Sequence, residues 1–178
     1  DSILAANHVL LQFVSLSAFF LDGYAYVMEM LSGKTIGEKN LKEFKFQLKD
    51  STIIAGVTAF LLGFFFYALG PYFIPLLSQD GEVQAIAKGH LLFAGIYILF
   101  SFVAFQLDGV FIGATQSREM RNASIISLIL FVGASFILTD DFGNRGLWLS
   151  FIFYVIVRGI SLGLYLPKLI RVKFPQSI

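Results

Sequence analysis

The sequence predicts an all-α integral membrane protein, and three observations carry that prediction. Of its 178 residues, 57% are hydrophobic and 14% charged, whereas a soluble domain has about 25% charged residues; the mean hydropathy is +0.77. Five stretches are long and apolar enough to cross a hydrocarbon core about 30 Å thick, which takes about 20 residues of helix. Lysine and arginine are rich in alternate loops, as five successive crossings require.

The first predicted span is residues 5–31. It runs into FFLDGYAYVMEMLSGKTIG, residues 19–37, where Asp22 and Glu29 interrupt an apolar run. Gly23 predicts a bend or a close helix contact, and Gly33 and Gly37 offer a helix end. The next segment is the most polar in the chain and holds Lys34, Lys39, Lys42, Lys45 and Lys49. Asn40 is placed to cap an amphipathic lead into the second span, residues 51–69. Gly70-Pro71 predicts the end of that span. PYFIPLL, residues 71–77, with a second proline at Pro75, then reads as a short interfacial stub.

Residues 78–81 form a predicted turn whose polar side chains cap a long third helix, about residues 82–116, which crosses within 88–116. The fourth span is residues 123–138. A loop, TDDFGNRG, leads to the fifth, residues 147–166, with Arg158 near its middle; Pro167 and the basic residues Lys168, Arg171 and Lys173 follow. The lysine and arginine distribution puts the Lys34–Lys49 segment, Arg118, Arg121 and the C-terminus in the cytoplasm and residue 1 outside. The expected location is the cell inner (plasma) membrane, as a multi-pass protein.

Composition also excludes functions. Cysteine is absent, so there is neither a disulfide framework nor a thiolate metal site. The formal charge is +1, with no basic face built for nucleic acid. His8 and His90 have no accompanying acid at metal-ligand spacing. The chain carries no H-E-x-x-H, no G-x-S-x-G and no glycine-rich phosphate loop. No enzyme and no cofactor is expected. No initiating methionine and no basic n-region precede the first span, and the chain reads as part of something longer.

The candidate site residues are the intramembrane charges, because a charged group in a bilayer costs several kcal/mol unless it faces a bundle interior or an aqueous cavity. Asp22 and Glu29, seven residues apart, fall on nearly the same helix face about 10 Å apart. Asp22 and Asp108 sit in similar words, FFLDG and FQLDG. A carboxyl group with little water around it can exchange a proton near neutral pH, or hold Na⁺ with other oxygens. Asp108 and Asp22 are therefore candidates for cation coupling or substrate contact, against the blander reading of a helix-to-helix hydrogen bond or a salt bridge with Arg158. Arg158 is the strong cation inside a span and a candidate charge partner for an acid on a neighbouring helix. Glu29, near the cytoplasmic end, is expected to snorkel or to pair with Lys34 or another basic loop residue. Tyr24, Tyr26, Tyr97 and Tyr154 offer an aromatic wall for a flat cation, and Gly109 and Gly113 form a G-x-x-x-G packing motif. Gln106 is expected to face away from Asp108.

Three words, LDGYAYVMEMLSGKTIGEKN, FQLDGVFIGATQSREMRNA and NRGLWLSFIFYVIVRG, resemble the multidrug and toxic compound extrusion (MATE) transporters, in the DNA-damage-inducible protein F-like branch. The resemblance spans essentially the whole chain and implies that its five spans correspond to helices 8–12 of a twelve-helix protein, the larger part of the C-terminal lobe. It implies a secondary antiporter that expels small cationic or amphipathic compounds by alternating access, driven by H⁺ or Na⁺. In sodium-coupled relatives an aspartate of the tenth helix lines the cation site, and Asp108 matches that position. In proton-coupled members of the branch the coupling aspartate lies in the first helix, outside this sequence. The N-terminal lobe is thus an implied partner, along with the lipid bilayer, and the fragment alone is not expected to transport. Three alternatives remain beside it: a lipid or oligosaccharide flippase of the wider superfamily, which should line its cavity with several cations; an intramembrane enzyme acting on lipid, whose turnover would survive collapse of the gradient; and a non-transporting structural membrane subunit.

Overall fold

The computed structural model describes residues 1–175. They form five helices: α1 (Ser2–Gly37), α2 (Leu41–Leu77), α3 (Gly81–Gly113), α4 (Ser117–Phe142) and α5 (Asn144–Lys173). Each is long and apolar enough to cross a membrane. At 1.5 Å per residue, helices of 26 to 37 residues reach roughly 39–55 Å. They outrun a core about 30 Å thick and must project from it or tilt.

The polar residues between spans start helices as the sequence predicts. The Asn40 side chain accepts the Glu43 backbone N–H at 3.0 Å, and Asp80 accepts those of Glu82 and Val83 at 2.8 and 3.3 Å. Both satisfy amide groups that the first helical turn leaves without partners.

Helix α3 is the centre of the bundle. It packs most extensively on α1, then on α2 and α5, while α4 leans chiefly on α5. In lipid, helices associate through van der Waals packing at small residues rather than by the hydrophobic effect, and glycines mark these seams. A Cβ at Gly109 would overlap the Ala25 carbonyl, and one at Gly113 the Glu29 carbonyl. Gly63 of α2 and Gly95 of α3 meet backbone to backbone, and Gly146 of α5 lies against Leu138 of α4.

Two apolar cores stack along the bundle. One contains Leu10, Phe13, Phe66, Ile74, Leu91 and Trp148. The other contains Met28, Phe44, Val110, Phe111, Leu162 and Leu169. The chain positions between them hold the polar side chains of the bundle interior, including Asp22, Ser51, Gln106 and Arg158.

Several expectations need correction. PYFIPLL is not a separate stub: α2 runs through Pro71 and Pro75 to Leu77. Each proline lacks an N–H and costs a helical bond. Gly70 and Ile74, four residues apart, are nonetheless buried, with Gly70 against Leu91 of α3, and this docking keeps the last turns helical. Pro167 likewise lies inside α5. The expected loop TDDFGNRG shrinks to Gly143, whose φ of +57° lies in the region that glycine tolerates best. No neighbouring atom lies within 4 Å of a Cβ built at Gly23, and α1 continues through it. The close approach predicted there occurs on α3 instead.

Candidate functional site

Close packing of α1 on α3 sets one wall of a cavity of about 200 Å³, lined by Asp22, Tyr26, Glu29, Asp108, Gly109 and Met120 among others. The helical spacing explains the acids: Asp22 and Glu29 share a face of α1, and Asp108 precedes the glycine that rests on Ala25. Three carboxylates therefore open on one space between α1 and α3.

Their partners differ sharply. The Arg158 guanidinium of α5 donates from Nη2 to both Asp108 oxygens, at 2.8 and 2.9 Å, and from Nε to Oδ2 at 3.3 Å. The two side chains are 17% and 23% exposed. Arg158 Nη1 also donates to Ser124 Oγ of α4. One guanidinium thus joins α3, α4 and α5, and that matters because α3 and α4 touch little directly. Asp22 and Glu29 make no ion pair or side-chain hydrogen bond among the described residues; the ion pairs there are Arg158–Asp108 and Lys168–Glu119. Of the expectations for Glu29, the pairing with Lys34 or another basic loop residue is absent among the described residues; Glu29 lines the cavity with Asp22. With all groups ionised, three carboxylates and one guanidinium leave two negative charges beside the space.

The tyrosines do not form one wall. Tyr26 lines the cavity, whereas the Tyr24 hydroxyl meets Thr58 of α2 at 2.8 Å. Tyr97 packs edge-on against Phe151, and Tyr154 against Phe131, in a separate aromatic cluster of α3, α4 and α5. Gln106 faces α2, where Nε2 donates to the Ser51 carbonyl and to Ser51 Oγ, each at 3.0 Å. Among the described residues no group of three or more His, Asp or Glu could hold a metal ion. His8 lies beside Gln12 and His90 beside the Ile86 carbonyl.

Sequence reasoning missed the Asn7–Asn144–Trp148 network. Asn7 and Asn144 exchange amide hydrogen bonds at 2.7 and 3.0 Å, and Trp148 Nε1 donates to Asn7 Oδ1 at 2.9 Å. An intramembrane charge announces itself by its cost, but two asparagines at opposite ends of the sequence do not.

Known proteins agree with this architecture. The chain is 31% identical over 166 residues to DNA damage-inducible protein F of Escherichia coli (strain K12), an alignment covering 91% of this chain and 35% of that protein. The chain thus spans about a third of the length of that relative. Its fold matches the crystal structure of the eukaryotic MATE transporter AtDTX14 with a TM-score of 0.88 at 17% identity, over 99% of this chain and 41% of the other. It also matches the inward-facing conformation of a multidrug resistance MATE family transporter of the MOP superfamily, with a TM-score of 0.85 at 16% identity, over 95% and 40%. The MatE family model matches residues 1–137, most of the chain, and by that match this five-helix membrane protein belongs to the MatE family.

Proposed function

We propose that the chain forms helices 8–12, in the C-terminal lobe, of a cation-coupled exporter of small cationic or amphipathic compounds, working by alternating access and not as an enzyme. The observation that carries this reading is the unequal treatment of two neighbouring aspartates. Asp22 is free of side-chain partners among the described residues, while Asp108 is held by Arg158.

A site of this kind can exchange cations at carboxylates that open on a cavity rather than on lipid. Asp22 offers an acceptor for H⁺, Na⁺ or a cationic compound. Asp108 has both oxygens engaged, so a cation binds it only when Arg158 yields. Arg158 also holds Ser124 on α4, and its release from Asp108 would loosen α4 and α5 from α3. Occupancy would thereby shift the packing of the lobe, the differential interaction that any ligand-driven transition requires. The two excess negative charges favour cations over anionic headgroups, which supports an exporter over a flippase. The proposed setting is the inner (plasma) membrane with the C-terminus cytoplasmic, following the lysine and arginine distribution.

The test is ethidium efflux from cells carrying the full-length protein, with Asp108→Asn and Asp22→Asn compared at equal membrane abundance. Loss of efflux in both, with wild-type efflux dependent on a Na⁺ or H⁺ gradient, is expected; the gradient that matters names the ion. Undiminished efflux from both variants would overturn the assignment.

A further inference from the structure

We propose that the start of α2 is a binding site for an anionic phospholipid, its phosphate held by Lys42, Lys45 and Lys49 and its acyl chains lying on the apolar stripe below them. At 100° per residue the three lysines fall within a 60° sector of the helix. Phe46, Ile53, Phe60 and Phe64 lie within about 40° of Lys42 on the side away from Lys45, so lysines and apolar residues together occupy one stripe about 100° wide, and all four apolar side chains are exposed. The lysines are exposed too, and among the described residues none of them forms an ion pair. Their acidic neighbours on α2 point elsewhere: Glu43 and Asp50 project about a right angle from Lys42, and Glu43 accepts a hydrogen bond from Gln47 at 2.6 Å; Glu38, before the helix, is the acid beside Lys42 and Lys45.

The surface is also shaped. At the turn before α2, Lys39, Lys42 and Lys45 line an open hollow of about 640 Å³ together with Glu38, Asn40 and Leu41. Deeper, where Gly63 and Gly95 bring α2 and α3 together, an apolar groove of about 150 Å³ is lined by Phe60, Phe64 and Leu99 among others. Ile53 to Phe64 spans roughly 16 Å of helix, about one leaflet of a core about 30 Å thick.

Charge complementarity and this length select the occupant. An acidic peptide or a free phosphate satisfies the lysines but leaves the apolar stripe unused. A neutral lipid uses the stripe and leaves the cations without partners. A phospholipid with a net negative headgroup meets both, since lysines at the membrane surface attract anionic lipid. The site does not involve the Asp22–Asp108 cavity and stands whether or not the transport reading holds.

Full-length protein titrated with phosphatidylglycerol, or with phosphatidylcholine of the same chains, and read by native mass spectrometry tests the proposal. Wild type is expected to retain phosphatidylglycerol about ten-fold better or more. The K42Q/K45Q/K49Q variant should lose that preference, the corresponding triple arginine variant should keep it, and Lys88→Gln should leave it unchanged. Glycerophosphoglycerol, which has the headgroup without chains, should compete poorly. Equal retention of the two lipids by wild type overturns the proposal regardless of how the variants fold. A preference surviving in the glutamine variant, or full competition by the soluble headgroup, overturns it as well.

Discussion

Arg158 and Asp108 form a forked ion pair across α5 and α3, with Nη2 of the arginine between 2.8 and 2.9 Å from both carboxylate oxygens. Neither side chain is wholly sealed, yet both belong to helices that cross a membrane. The pair is therefore more costly to break than to replace. Truncating one partner of a fully buried pair costs about 3–5 kcal/mol, because it strands the other charge; partial exposure puts this pair at the lower end. Asp108→Asn and Arg158→Gln should each lower the unfolding temperature in detergent, and the double variant should recover most of the loss without recovering efflux. A double variant as unstable as the sum of the singles would mean that the two residues act independently.

Gly109 and Gly113 should tolerate no side chain. Their missing Cβ positions are taken by the backbone carbonyls of Ala25 and Glu29, which cannot rotate away as a side chain can. Overpacking of this kind typically costs about 1–3 kcal/mol. Gly109→Ala and Gly113→Ala should destabilise the bundle by about that much and disturb the cavity that α1 and α3 enclose. Gly23→Ala is the matched control: it meets no atom within 4 Å, and replacing a mid-helix glycine gains about 0.5–1 kcal/mol. Melting curves that rank the three alike would contradict this packing.

These cases show which parts of the molecule the sequence exposes. Five helices were legible because lipid demands long apolar runs, and the carboxylates on α1 shared a face because helical periodicity dictates it. The α2 extension was not, since Gly70-Pro71 signals a break locally, and the docking of Gly70 and Ile74 overrides it. Gly23 and Gly109 follow the same Leu-Asp dipeptide, yet only Gly109 touches a neighbouring helix. Which of two similar words makes contact depends on helix rotation, a tertiary property. Local pattern likewise placed Glu29 beside Lys34 and gave no reason to group it with Asp108, which is 79 residues away.

Asn7 should matter more than Asn144, although they bond to each other. Asn7 Oδ1 accepts from both Asn144 and Trp148, and Trp148 is 1% exposed, so the indole N–H has no water to turn to. Asn7→Ala strands that donor and should cost about 1–3 kcal/mol. Asn144→Ala leaves the Asn7–Trp148 bond in place and should cost less. Comparable losses from both would show that the amide exchange, rather than the buried indole, dominates the clasp.

Gln106 presents the opposite case, a buried polar group that the fold satisfies only in part. Its amide nitrogen reaches Ser51 on α2, while Oε1 is buried without a partner. An unmade bond at a buried acceptor carries a desolvation cost of about 1–3 kcal/mol, comparable to what the donor side gains. Replacing Gln106 alone with an apolar residue removes the unpaired oxygen but leaves the buried Ser51 Oγ without its donor; replacing both partners removes both terms. Gln106→Leu combined with Ser51→Ala should therefore change stability by less than about 1 kcal/mol and leave efflux intact, because the Gln106 side chain faces α2 rather than the carboxylate cavity. Gln106→Glu should be far worse, since an ionised carboxylate would oppose the Ser51 carbonyl with nothing to donate. A leucine variant that loses efflux at normal stability would show that Oε1 serves a ligand, and would extend the functional site to the α2 side of α3.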